Sequence, residues 1–208
     1  MKIDNALIKN LQTQIGKSDQ KAFEDLYRLF FPRLFKFCIL YVERKEAAEE
    51  IVNDIMVKIW RSREEIAAIQ ILETYLFVAV RNHSLNYLQK YSKIHVSIEP
   101  EPGAAEMASL HNPEKELEWK EMNLKLQLAI EQLPEQCRTV FKLIKEEGFR
   151  YKQVAEILNI SPRTVETQLF RAIKKLSTAV ASFQDDSSKK NPKNGLPLSL
   201  LVLLIFAI

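Results

Sequence analysis

From Lys45 to Trp60 the apolar residues fall at steps of three and four, a period that belongs to a helix buried on one face. Ala48, Ile51, Val52, Ile55, Met56 and Ile59 form the apolar stripe. Glu49, Glu50, Asn53, Asp54 and Lys58 form the opposite face. Such a helix packs through its stripe and offers its polar side to solvent or to a partner. The same period recurs elsewhere. Asp4 to Ile15 carries Leu7, Ile8, Leu11 and Ile15 on one side. Phe23, Leu26, Tyr27, Phe30, Leu34, Phe37 and Cys38 mark the next helix, with Ser18 or Asp19 as its cap. Pro32 inside that run predicts a kink or a restart. Arg61 to Ile71 loses the pattern and predicts a loop; Glu73 to Tyr91 regains it through Tyr75, Leu76, Ala79, Val80 and Tyr87. With 4 glycines and 8 prolines in 208 residues, long helices are favoured over many short strands. The fold class expected is all-α.

Composition changes after Tyr91. Pro100, Pro102, Gly103 and Pro113 stand among Glu99, Glu101 and Glu106, and no apolar period survives. Residues 92–113 therefore read as an acidic, flexible linker between two small helical domains, 5–91 and 114–180. Helical signals resume at Glu114 and run to about Leu133, where Pro134 breaks them. Glu135 to Glu147 follows, with Val140, Phe141 and Ile144 inward and Gly148 ending it in a left-handed conformation. The net charge of +3 and pI near 8.7 permit a nucleic-acid partner without demanding one, so any basic face must come from local clustering. Cys38 and Cys137 lie in apolar helical patterns and read as buried free thiols. His83, His95 and His111 have no metal-ligand spacing, and no cofactor is expected. The N-terminus has scattered charges and no apolar run, so it does not read as a secretory signal.

The most specific segment is YKQVAEILNISPRTVETQLFRAIKKL. Val154, Ala155 and Leu158 point one short helix inward, and Ala155 is small where two helices cross closely. Asn159 suits a left-handed turn and Ile160 plugs it. Ser161 is a good cap and Pro162 a good first helical residue. Val165, Leu169, Ile173 and Leu176 anchor a second helix, expected over Pro162 to Ser177. Arg163, Thr164, Glu166, Thr167 and Arg171 are left outside, most of them near the helix start. A recognition helix presents that end to base edges in the major groove. Arginine can pair with guanine, and threonine can meet phosphate or a thymine methyl. Lys152, Lys174 and Lys175 can hold the DNA backbone. The rival reading is a helical hairpin with a solvated charged face; agreement of small residue, turn, cap and anchors in one segment favours DNA. Glu166 repels phosphate.

Two ordered sets of motifs resemble a known family. LPEQCRTVFKLIKEEGFRYKQVAEILNISPRTVETQLFRAIKKL resembles sigma region 4. AFEDLYRLFFPRLFKF, AAEEIVNDIMVKIW and YLFVAVRNHSLNYLQKY resemble sigma region 2. The resemblance covers roughly residues 5 to 180, and no counterpart of regions 1.1 and 3 is present. That points to the extracytoplasmic-function (ECF) group of sigma-70 factors. It implies a promoter-recognising polymerase subunit, active as a monomer and not an enzyme. It implies that Glu50, Asn53, Asp54 and Lys58 meet the clamp helices of core RNA polymerase, while the helices preceding the recognition helix bind the flap. It implies that Arg61 and Arg63, in a loop over Arg61 to Ile71 beside a pocket for an unstacked base, act at the −10 element together with Arg81, Asn82, Asn86 and Lys90. Exposed bases give affinity by stacking and hydrogen bonding while cations track the backbone. Trp60 and Tyr75 can stack on bases, though their places in apolar stripes favour core packing. Arg163, Thr164, Glu166, Thr167, Arg171 and Lys174 would read the −35 element. The acidic linker would either thread the polymerase or serve as a plain tether.

The C-terminal tail, 181–208, departs from the general pattern. Gln184 to Gly195 is polar and reads as disordered. Leu196 to Ile208, LPLSLLVLLIFAI, is apolar but has 13 residues where a membrane span needs about 20. Short apolar C-termini of this kind resemble those of Bacteroidota sigma factors that work with a membrane anti-sigma protein. The location this implies is cytoplasmic, with the chain held at the inner membrane by the anti-sigma factor or weakly by its own tail. Two other functions compete. A stand-alone operator-binding regulator leaves the N-terminal motifs unexplained. A membrane-tethered helical adaptor leaves the helix-turn-helix unexplained. No phosphate-binding glycine loop, metal cluster or nucleophile–base spacing supports an enzyme.

Overall fold

The computed structural model describes residues 4–91 and 124–190, with side chains described as far as residue 179. The expected linker over 92–113, and the apolar tail from Leu196, lie outside the described residues. Among the described residues there is no strand. Five helices come first: α1 (Asn5–Gly16), α2 (Gln20–Ile39), α3 (Lys45–Arg61), α4 (Arg63–Ile66) and α5 (Leu72–Tyr91). Residues 124–131 are helical (α6) and are followed by α7 (Glu135–Lys145), α8 (Tyr151–Leu158) and α9 (Pro162–Lys190). Among the described residues, contacts separate two compact units, 4–91 with 152–160 and 124–151 with 161–190.

In the first unit α2 packs on α1, α3 and α5, and α3 packs on α5. Asp19 caps α2 by accepting from the Ala22 N–H at 3.1 Å. Leu26, Phe30, Leu34 and Cys38 of α2 are fully buried, as are Val52, Leu76, Phe77 and Val80 of the facing helices. Each large side chain of that kind contributes about 1.5–3 kcal/mol on burial. α2 runs through Pro32 without restarting: the proline lies on the exposed side, and buried residues on both flanks hold the two halves in line. Arg33 and Glu73 tie α2 to α5 at 2.7 Å, with the guanidinium over the rings of Phe30 and Phe77.

The buried face of α1 is Ile8, Leu11, Gln12 and Ile15. Leu7, expected on that face, is exposed, because α1 turns the amide of Gln12 inward instead.

In the second unit α7 packs on α9. Glu131 joins α6 to α7 by accepting from Arg138 and Lys142. Gly148, at φ 75°, turns the chain after α7 so that the Phe149 N–H donates to Leu143 O at 3.0 Å. Leu143 is buried in that unit while Ile144, expected inward, is half-buried. α9 continues past the expected end at Ser177 to Lys190, into the segment read as a polar tail. No glycine or proline interrupts residues 178–190, so nothing local stops the helix. No helix among the described residues is long and apolar enough to cross a membrane.

Candidate nucleic-acid interface

The turn before α9 has the local chemistry its sequence requires. Asn159 sits at φ 50°, in the left-handed region, and the Ile160 N–H donates to Ala155 O at 3.0 Å. Ser161 Oγ accepts from the Thr164 N–H at 3.0 Å, satisfying one of the free donors at the helix start. Val165, Leu169, Ala172 and Leu176 are buried, which fixes the rotation of α9. The opposite side carries Arg163, Glu166, Thr167, Arg171 and Lys174, all exposed, with Thr164 half-buried at the cap. Phe170 is on the same side and is 68 % exposed, the most of any large apolar side chain described. Its place between Glu166 and Lys174 was visible in the spacing, but the sequence reading missed it. Arg171 and Lys174 also border a groove of about 890 Å³ beside the start of α7.

The second candidate surface lies in the first unit. Asn82, Asn86 and Lys90 are exposed and repeat every fourth residue along one side of α5. Arg81 is half-buried, and its Nη1 donates to Asn82 Oδ1 at 3.3 Å. Next to that row, Tyr75, Ala79 and His83 line a cavity of about 400 Å³. Its other walls are Ile55, Lys58 and Ile59 of α3 and Ser62, Glu65, Ile66 and Ile69 of the connection that follows. That connection includes the short helix α4 and is otherwise irregular. Tyr75 is 37 % exposed, which corrects the expectation that it packs in the core; one turn of α5 sets it on the cavity side, away from Leu76 and Phe77. Trp60 does pack inward, half-buried, 5.1 Å from the ring of Phe23. Tyr75, weighed in sequence as a residue that can stack on bases, lines the cavity, whereas nothing in the sequence singles out His83, because the cavity exists only once α3 and α5 meet.

The two arginines expected at the loop part company. Arg61 is exposed at the end of α3. Arg63 is held internally: Nε donates to Ser18 Oγ at 2.7 Å, Nη1 donates to Trp60 O, and the guanidinium covers the Trp60 ring. On α3, Glu50, Asn53, Asp54 and Lys58 are all exposed on one side. Asn53 Oδ1 accepts from the Tyr27 hydroxyl at 2.9 Å, so its orientation is set by α2.

Comparison with known proteins gives both halves of the chain a family context. The family model for sigma-70 region 2 matches residues 26–94, and that for sigma-70 region 4 matches residues 123–176. The ECF RNA polymerase sigma-E factor of Haemophilus influenzae is 26% identical over 176 residues, covering 81% of this chain and 90% of that protein. The chain belongs to the ECF sigma-70 family.

Two solved structures share the fold. The sigma factor RpoE of Bartonella quintana, in complex with the anti-sigma factor NepR, superposes with a TM-score of 0.57 at 22% identity, covering 77% of this chain and 98% of that one. CnrH, in complex with the cytosolic domain of CnrY, gives 0.53 at 18%, covering 84% and 97%. As a sigma factor, the chain binds core RNA polymerase and directs promoter-specific initiation by recognising −35 and −10 elements. Sigma factors are initiation subunits, not enzymes.

Proposed function

We propose a division of labour between named side chains. Arg163, Thr164, Thr167 and Arg171 read the −35 element, Phe170 meets thymine methyls, and Lys174 neutralises phosphate. Glu166 stands in the same exposed stripe as an acceptor for a cytosine amino group, a base-edge contact that suits a carboxylate. The observation that carries this is the single exposed stripe on α9, opposite its four buried anchors. At the −10 element, the cavity beside Tyr75 and His83 takes an unstacked base while Arg61, Asn82, Asn86 and Lys90 track the strand, with Arg81 behind Asn82. Arg63 serves this site from within, as a strut for the loop. Glu50, Asn53, Asp54 and Lys58 form the face for the clamp helices of core polymerase, and the helices before α9 bind the flap. The functional domains are then 5–91 and 114–180, joined through 92–113, with 181–208 as a regulatory tail.

In vitro transcription tests the whole assignment. Purified protein is added to sigma-free core polymerase with a library of promoter fragments. Discrete starts sharing upstream −35 and −10 elements are expected. Binding to duplex DNA without any binding to core overturns the assignment in favour of a stand-alone regulator. The phosphate role has its own signature: Lys174→Ala lowers the slope of log affinity against log salt by about 1 on every sequence alike. A change confined to one base position assigns Lys174 to readout instead.

Regulation by an anti-sigma factor is part of the same reading, supported by the relative solved with NepR. The proposed setting is a Bacteroidota cytoplasm, with a membrane-borne anti-sigma protein holding the free monomer at the inner membrane. The apolar segment Leu196 to Ile208 is assigned to that contact. Its deletion is expected to weaken anti-sigma affinity or membrane partition; if both stay unchanged, the tail has no such role.

A further inference from the structure

The loop after α3 supplies much of the wall of the 400 Å³ cavity but has little regular structure of its own. It is held from behind by α1. Gln12 is 1% exposed on an otherwise apolar face, and its Nε2 donates to Ile66 O at 2.5 Å and to Ile69 O at 2.7 Å. Both acceptors belong to residues that line the cavity. A buried amide is costly without partners, and an apolar side chain would pack α1 equally well. The amide therefore does something packing does not: it fixes two loop carbonyls from a helix one layer away. Three neighbours act in the same direction. A Cβ on Gly16 would stand 3.0 Å from Ala67 Cβ, so the helix and loop are in near contact there. Ser18, at φ 66°, accepts from Arg63, and Lys9 Nζ donates to Ala67 O at 3.4 Å. α1 precedes the segment matched by the region 2 family model, which begins at residue 26.

We infer that Gln12 is a positioning residue for −10 base selection: by holding the carbonyls of Ile66 and Ile69 it sets the shape of the cavity that accepts the unstacked base. The inference rests on reading that cavity as the base pocket. A pocket selects by fit, so a loop displaced by a fraction of an ångström changes which base is preferred before it changes whether the protein binds polymerase.

The test uses full-length protein with core polymerase and a panel of promoters carrying single-base substitutions in the −10 element over a constant −35 element. Two variants are compared with the wild type. Gln12→Met removes both donors at similar volume. Gly16→Ala keeps every hydrogen bond and pushes on Ala67 instead. Both are expected to cut the preference for the favoured base at one −10 position by about tenfold, with core affinity and the response to −35 substitutions within about twofold of wild type. A uniform fall on every promoter with the preference intact makes Gln12 merely structural and overturns the inference, as does no change. If Gln12→Met does not fold, Gln12→Leu, which also lacks the donors, takes its place, and Gly16→Ala remains the test of loop position alone. A wild-type protein with no base preference at any −10 position overturns the pocket reading itself, which separates that failure from this one.

Discussion

The surface proposed to face the −35 element is one helix, and three residues within four positions, Asn159, Ser161 and Pro162, fix where it begins. In the first unit the surface proposed for the −10 element is a cavity walled by α3, α5 and the loop between them, with α1 bracing the loop. The recognition helix is specified by neighbours in sequence. The cavity is specified by residues 54 and 57 positions apart, as the two bonds of Gln12 show. A surface made locally tolerates changes elsewhere in its unit. A surface assembled from several elements inherits the stability of every contact that sets them in register.

The largest effect is expected at Glu73. Its ion pair with Arg33 joins α2 to α5, and both side chains are only 16% exposed. Glu73→Ala leaves a cation among Phe30 and Phe77 without its carboxylate, and breaking such a pair costs about 3 kcal/mol. Hydrogen exchange reads the two units separately. Amides of α2 and α5 are expected to lose protection while those of α7 and α9 keep theirs. Equal loss in both would break the contrast, because the units would then unfold as one.

Ser161 comes next. Ser161→Ala removes the acceptor for the Thr164 N–H and is expected to cost about 1 kcal/mol, felt first as fraying at the start of α9. Affinity for −35 duplex DNA should fall with it, since Arg163, Thr164 and Thr167 stand in that first turn and a half. Core binding and the −10 preference should not change. An unchanged −35 affinity would mean that DNA itself orders the helix start, and the cap would be dispensable in the complex.

The same contrast governs what is legible in the sequence. Asn159, Ser161, Pro162, Gly148 and the buried stripe of α3 were legible because each depends on chemistry within one turn or on a period of 3.6. Arg163, Glu166, Thr167 and Arg171 followed from the same period, and all are exposed. Gln12 was not legible: in sequence it is a polar residue among apolar ones, and only the loop carbonyls opposite explain its burial. Arg63 reads in sequence as a free cation at a loop, yet Ser18 and Trp60 hold it. Tyr75 follows an apolar period closely enough to pass for core, and the cavity that leaves it exposed needs α3 in place. Pro32 shows the limit in reverse, since a strong local signal for interruption yields to burial on both flanks.

The smallest effect is set by Cys38, and it separates the units by pH. Its thiol is fully buried against Ser84 Oγ at 3.2 Å, and burial raises its pKa above the ordinary 9.0, against a smaller lowering by the Ser84 hydrogen bond. As pH rises past 9.0 the unfolded chain releases this proton while the folded chain keeps it. The unfolded state then binds fewer protons, so stability falls with rising pH, by less than about 1 kcal/mol at pH 9.5. Cys38→Ala removes that proton from both states. The stability gap between wild type and variant, measured by urea unfolding followed at amides of α2 and α5, should therefore narrow from pH 8 to 9.5. The amides of α7 and α9 should show no such narrowing. Parallel curves in the first unit would mean that the thiol ionises as easily folded as unfolded, and that α2 and α5 open enough at Ser84 to let water reach it.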